Sequence, residues 1–183
     1  MTTTTRDNEV TNLDRSRKAS IDYIERTRAH YLSEGFNNPY EWAYHADAPF
    51  TRLTKPLSES RVAVITTAAR FQPDKGDQGP HAPYNNGAKF HAVFTDPIEP
   101  VPDLRISHIG YDRANTVPED IDAYFPLARL KEFAAERRIG SLPPRFYGVP
   151  TLRSQRSTVE RDAPEILRLC REDGVDVAVL TAV

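Results

Sequence analysis

The chain has 183 residues, a formal net charge of −2 and a pI of about 6.2. That is long enough for one domain with a real core, and the charge gives no reason to expect nucleic acid or an anionic membrane as partner. A single cysteine, Cys170, excludes an intramolecular disulfide and any zinc site built on several thiolates. No apolar run approaches the ~20 residues of a membrane span, and the polar N-terminus lacks a signal-peptide core, so a cytoplasmic protein is the simplest expectation.

In chain order, residues 1–11 read as a disordered tail. Residues 14–34 read as a helix with Ile21, Ile24, Tyr31 and Leu32 near one face and Gly35 as its stop. Residues 36–60 hold Pro39, Pro49 and Pro56 with Tyr40, Trp42, Tyr44 and Phe50 between them, an irregular segment whose rings are expected to pack over a core. Residues 61–66 form the clearest strand, a continuous apolar run suited to a parallel strand buried on both faces, with Thr66 and Thr67 at its carboxyl end. Residues 70–90 are a long Gly-, Pro- and Asn-containing loop, a lid or an insertion. Short strands are expected at 89–94 and at 103–109, the second followed by a turn at Gly110-Tyr111-Asp112.

Pro118 opens a turn, and Pro126 suits the first position of a helix carrying Leu127, Leu130, Phe133 and Ala134 on one stripe, with Gly140 beyond it. Residues 141–150 read as a loop. Ser157 and Glu160 have capping-box spacing before a helix with Val159, Ala163, Ile166, Leu167 and Cys170 on one face, although Pro164 interrupts that stripe and favours a start near Asp162. Gly174 then leads into a final strand over 176–183. Strands alternating with helices predict an α/β fold, a doubly wound, mostly parallel sheet. The expected organisation is a tail over 1–11 and one incomplete α/β domain over 12–183.

The motifs exclude more than they assign. There is no G-x-G-x-x-G and no G-x-x-x-x-G-K, which argues against a dinucleotide or nucleoside triphosphate. None of the five histidines has the H-x-x-x-H spacing of two ligands on one helix face, so no metal is expected, although a hydrolase using His81, His91 or His108 is a distant alternative. No serine sits in a G-x-S-x-G elbow, and Cys170 reads as a small core residue. His108, near a strand end with Asp112 just beyond, has the types needed for an acid, a base or an orienting donor. Arg145 is a candidate clamp for an anion. These readings define an α/β domain with polar groups at strand ends and fix no reaction.

Five stretches in order carry a resemblance: 55–67 (KPLSESRVAVITT), 103–112 (DLRISHIGYD), 125–130 (FPLARL), 139–147 (IGSLPPRFY) and 173–181 (DGVDVAVLT). Together they resemble the selenoprotein B family of glycine, sarcosine, betaine and D-proline reductases, from about Lys55 to the last residue. The resemblance implies a flavodoxin-like domain lacking its C-terminal part. It also implies reductive cleavage of a C–N bond in an amine or amino acid, with a dithiol/disulfide couple as electron partner. The family's nucleophile, a selenocysteine or cysteine, follows the strand that resembles 175–183, so the expectation is a chain closed at that position, at a UGA codon meant for selenocysteine. No cofactor is expected within the chain itself. A pyruvoyl group on a partner subunit, other reductase subunits and a thiol reductant are the implied accessories. Thr66, Thr67, Ser107, His108, Asp112 and Thr181 are the expected pocket residues, with Ser141 and Arg145 from the loop motif in second rank. The alternative is a small-molecule-binding module that kept the fold and lost the chemistry.

Overall fold

The computed structural model describes residues 22–37, 47, 51–79, 81–83, 85–106, 111, 115–151 and 154–182. The chain divides into two units, Met1–Thr51 and Arg52–Val183. In the first, helix α1 spans Asp22–Ser33. It stops as the sequence predicts. Gly35 takes φ +86°, its N–H donates to Leu32 O (3.1 Å), and the N–H of Phe36 donates to Tyr31 O (3.0 Å). This is a Schellman stop, and the Tyr31 and Phe36 rings meet edge to face at 5.8 Å. The 1–11 tail, the first turns of the expected helix, and Tyr40, Trp42, Tyr44 and Phe50 lie outside the described residues.

The second unit is built on strand β1, Val62–Thr66. β1 pairs in parallel with β6, Val177–Thr181, over five residues, from Val62↔Val177 to Thr66↔Thr181. On its other edge it pairs in parallel with β5, Arg145–Gly148, and β5 pairs antiparallel with β3, Phe94–Pro97. The sheet order is β3-β5-β1-β6, and a separate ribbon joins β2, Ala69–Arg70, to β4, Leu104–Arg105.

Side-chain alternation along β1 feeds two cores. Val62 and Val64 meet Leu127 and Leu130 of helix α2, Leu127–Ala135, together with Phe125 and Phe146. Ala63 and Ile65 face the other way, toward Tyr147 and toward Ile166, Leu169 and Cys170 of helix α3, Ala163–Glu172. Helices therefore cover both faces of a mostly parallel sheet, the α/β class expected. The flavodoxin-like order is a finer statement that this strand order, with β3 antiparallel, does not carry. Each fully buried Val, Leu, Ile or Phe side chain contributes about 1.5–3 kcal/mol.

Several local expectations shift. The strand expected at 89–94 lies at Phe94–Pro97, and only Leu104–Arg105 of the 103–109 strand pair as strand among the described residues. The stretch read as a loop, 141–150, contains the central strand β5. Its neighbour Gly140 is needed for close approach: a Cβ there would lie 2.6 Å from the carbonyl carbon of Glu59. The helix before β6 is capped by Ser154, whose Oγ accepts from the Ser157 N–H (3.2 Å), so Ser157 is not the cap. It widens into a π turn over Thr158–Asp162 just before Pro164, where no N–H is available for the carbonyl of Glu160. α3 ends in a second Schellman stop, with Gly174 at φ +65° and the Val175 N–H on Cys170 O at 2.8 Å.

Gly140→Ala forces its new methyl group against the Glu59 backbone. It should cost about 2 kcal/mol or more in urea unfolding, and a wild-type midpoint would show that the approach can relax.

Candidate functional site

In parallel sheets ligands bind beyond the carboxyl ends of the strands. Thr66 and Thr181 sit there as register partners at the ends of β1 and β6. Both hydroxyls donate to one acceptor, the carbonyl of Tyr124, each at 2.7 Å. Thr66 Oγ1 also accepts from the Ala68 N–H (3.1 Å) and is fully buried. The Thr67 N–H donates to Thr181 O at 3.2 Å, and the Val149 N–H donates to Thr66 O at 2.9 Å. The threonines thus tie three strand ends to the segment before α2. Thr66 is a structural tie at the floor of this end, whereas Thr67 and Thr181 are half-buried at its rim.

Tyr124, Arg105, Glu119 and His81 were not singled out for this end by their spacing, yet the fold gathers them there. The Tyr124 hydroxyl donates to Pro118 O (3.0 Å). Burial raises its pKa, the charge of Arg105 opposes the rise, and Asp103, Asp120 and Glu119 add to it, so the phenol stays protonated. Arg105 pairs with Asp103 at 2.9 Å and stacks over Phe71 at 5.3 Å, while its Nε is buried without a hydrogen-bond partner. His81 Nε2 meets Glu119 Oε1 at 3.0 Å, joining the long loop to the turn before Tyr124. That loop is held by its own amides. The Gln72 N–H donates to Gln78 Oε1 (2.9 Å), and Gln72 Nε2 donates to Ala88 O (2.7 Å). Ser107, His108 and Asp112 lie outside the described residues. Among the described residues no group of three or more His, Cys, Asp and Glu side chains could hold a metal ion.

Ser141 and Arg145 stand at the opposite, amino end of the same strands. The anion that Arg145 clamps is Asp173. Its Nε and Nη2 donate to the two carboxylate oxygens at 2.6 and 3.1 Å, and Glu172 lies 3.4 Å away. The Tyr147 hydroxyl donates to the same carboxylate at 2.6 Å. Burial opposes ionisation of Asp173, but the Arg145 and Tyr147 hydrogen bonds outweigh it and hold the carboxyl below its ordinary pKa. Burial, then the bond to Asp173, raises the Tyr147 pKa. Burial, then the charge of Asp173, raises that of the Cys170 thiol. Ser141 Oγ accepts from Arg61 Nε at 3.3 Å, while Arg61 Nη1 donates to Asp173 O at 2.6 Å. Asp173 was missed in the sequence. Its one local signal is its place before Gly174, at the helix stop that leads into β6.

No family model matches the chain, and no solved structure matches it. Among curated proteins it is similar to the D-proline reductase subunit gamma of Acetoanaerobium sticklandii, 32% identical over 134 residues. That match covers 73% of this chain and 52% of the relative, so the chain spans about half the length of the curated relative it matches. No helix among the described residues is long and apolar enough to cross a membrane.

Two outcomes follow from the two ends of the sheet. Thr66→Val and Thr181→Val should each cost about 1–2 kcal/mol. The double variant should cost about 1 kcal/mol more than their sum, because the Tyr124 carbonyl then loses both hydroxyls; additive urea-unfolding energies would contradict the shared acceptor. Asp173→Asn should cost about 2 kcal/mol at pH 7. A carboxyl whose folded pKa lies below its unfolded value of about 3.9 gives stability that is present above that value and lost as pH falls through the folded pKa. The gap between wild type and Asp173→Asn should therefore shrink below about pH 4, as measured by urea unfolding at pH 7 and pH 3.

Proposed function

We propose that this chain is the α/β part of a subunit of a cytoplasmic reductase of the D-proline reductase type, of the selenoprotein B kind, acting by reductive cleavage of a C–N bond in a small amine or amino acid. The observation that carries this reading is the similarity to D-proline reductase subunit gamma over 134 residues. The polar carboxyl end of the sheet supports it as the place where such a substrate would sit. In the balanced reaction the C–N bond breaks, carbon and nitrogen each end with a hydrogen in its place, and two electrons come from a thiol pair that becomes a disulfide. The attacking group is a selenolate or thiolate. Cys170 is unsuited to that role, because it is buried on the inner face of α3 and its pKa is raised. The chalcogen therefore comes from polypeptide outside these 183 residues. Other subunits complete the enzyme, one of them bearing a pyruvoyl group that activates the substrate.

This chain's own contribution is placement. The Thr66 and Thr181 ties fix the floor of the site, and Thr67 and Arg105 offer polar atoms beside it. The test is a titration of isotopically labelled chain with D-proline, glycine, sarcosine and betaine. At least one should shift the backbone amides of residues 66–68 and 181–182, and no shift with any of the four would overturn the reading. With dithiothreitol as reductant, the chain alone should release no product from these substrates. Turnover would overturn the assignment of the nucleophile to polypeptide outside the chain.

A further inference from the structure

Two arginines stand at opposite ends of the strands, and their guanidinium groups are used differently. Arg145, at the amino end, gives Nε and Nη2 to the two oxygens of Asp173 at 2.6 and 3.1 Å, a two-pronged grip on a side chain only 11% exposed. Arg105, at the carboxyl end, holds its carboxylate by one prong. Its Nη2 donates to Asp103 Oδ2 at 2.9 Å, while its Nε, on the same edge of the guanidinium, is buried with no acceptor. A buried N–H of a charged group without an acceptor is costly, and folded proteins leave few of them. The backbone fixes where Arg105 stands. The β2–β4 ribbon follows directly on β1, and Arg105 is the register partner of Ala69, three residues after Thr66. The Phe71 N–H donates to Asp103 O at 2.9 Å, and the Arg105 guanidinium lies over the Phe71 ring at 5.3 Å. The ring occupies a face of the guanidinium and leaves its edges for hydrogen bonds in its own plane. Of the charges acting on the Tyr124 phenol, that of Arg105 is the largest. The Asp103 side chain is 52% exposed and that of Arg105 31%, so this pair opens to water without disturbing the core.

We propose, on the reading of this chain as part of an amino-acid reductase, that Arg105 binds the carboxylate of the substrate and that Asp103 is its stand-in, displaced when the substrate arrives. The four candidate substrates differ at nitrogen, from the primary amine of glycine to the quaternary ammonium of betaine. What stays constant is the carboxylate on the neighbouring carbon, and a planar two-pronged arginine recognises that group best. A ligand carboxylate meeting the Nε edge takes Nη2 and Nε together, as Asp173 does on Arg145, and supplies the missing acceptor. Exchange of one carboxylate for another leaves the charge beside Tyr124 unchanged. The exchange also gives up little, because a partly exposed ion pair contributes little to stability. The other acids that act on the Tyr124 phenol are already engaged: Glu119 pairs with His81 at 3.0 Å, and Asp120 Oδ1 accepts from the Asp122 N–H at 3.1 Å.

The test is a titration of isotopically labelled chain with D-proline, glycine, sarcosine and betaine, each beside its own primary amide. An amino acid that shifts the backbone amides of residues 66–68 should also shift those of 103–105. Its primary amide, which lacks the negative charge, should bind about tenfold more weakly or worse. Arg105→Gln should weaken binding about tenfold or more, with Arg105→Lys, which keeps the charge and loses the fork, in between. Asp103→Asn removes the stand-in and should tighten binding about two- to threefold. That sign is opposite to the effect of a damaged fold, so this exposed variant and the amide comparison decide the matter even if Arg105→Gln does not fold. Equal binding of an amino acid and its amide, or an Asp103→Asn that fails to tighten it, would overturn the proposal and leave the reductase reading intact. Binding of none of the four to the wild-type chain would overturn both.

Discussion

The structure of the second unit depends on one strand that has no free side. β1 is paired on both edges and covered on both faces, so β5, β6 and the two helices that cover the sheet are positioned against it. This explains why its sequence is an uninterrupted apolar run with no polar alternation. It also explains the division of labour among the helices. α2 takes the side chains of Val62 and Val64, α3 takes those of Ala63 and Ile65, and neither helix touches the other's core. A one-residue slip of β1 would exchange the two cores, pushing valines into the space left by Ala63 and Ile65, and those two side chains against Leu127 and Leu130.

The two ends of this strand are finished by different chemistry. At the amino end the ties are ionic. The Arg61 N–H donates to Asp176 Oδ2 at 2.7 Å, Arg61 Nη1 reaches Asp173 O, and Arg145 and Tyr147 share the Asp173 carboxylate. Charged groups so paired are committed to holding the strand ends together. At the carboxyl end the ties are neutral hydroxyl-to-carbonyl bonds. The polar side chains nearby, Arg105, Glu119 and His81, are held by exposed partners that compete with water. The same sheet is thus closed at one end and adaptable at the other, and Arg145, whose motif suggested an anion clamp, serves the closed end.

What the sequence disclosed follows from how local each signal is. β1 and β6 were legible because their burial is written in consecutive β-branched residues. The Gly35 and Gly174 stops were legible because a left-handed residue is a local demand. β5 was not: Arg145-Phe-Tyr-Gly is four residues long, follows Pro143-Pro144, and is a strand only because β1 and β3 flank it. Gly148 in particular is set by a neighbour, since a Cβ there would lie 2.1 Å from the Phe94 ring. Thr66 and Thr181 were legible as lying at the carboxyl ends of their strands, but their shared acceptor is 58 and 57 residues away in sequence, respectively. No periodicity carries that information. Arg145 was legible as a residue seeking an anion, while Asp173, the anion, was hidden among ordinary helix-end residues.

The position of Thr181 makes the sheet edge and the site one system. Thr181 belongs to β6, which has no strand on its outer side among the described residues, and its hydroxyl holds the same Tyr124 carbonyl as Thr66 of β1. Thr66 cannot move without disturbing β1, so the Tyr124 segment follows whatever freedom β6 retains. An edge strand bonded on one side has more of that freedom than a central one. Pairing on its outer side would remove it, narrowing the positions open to Thr181, to the Tyr124 carbonyl and to the turn carrying Pro118 and Glu119. The order of the candidate site is therefore set partly by its own residues and partly by what lies against β6.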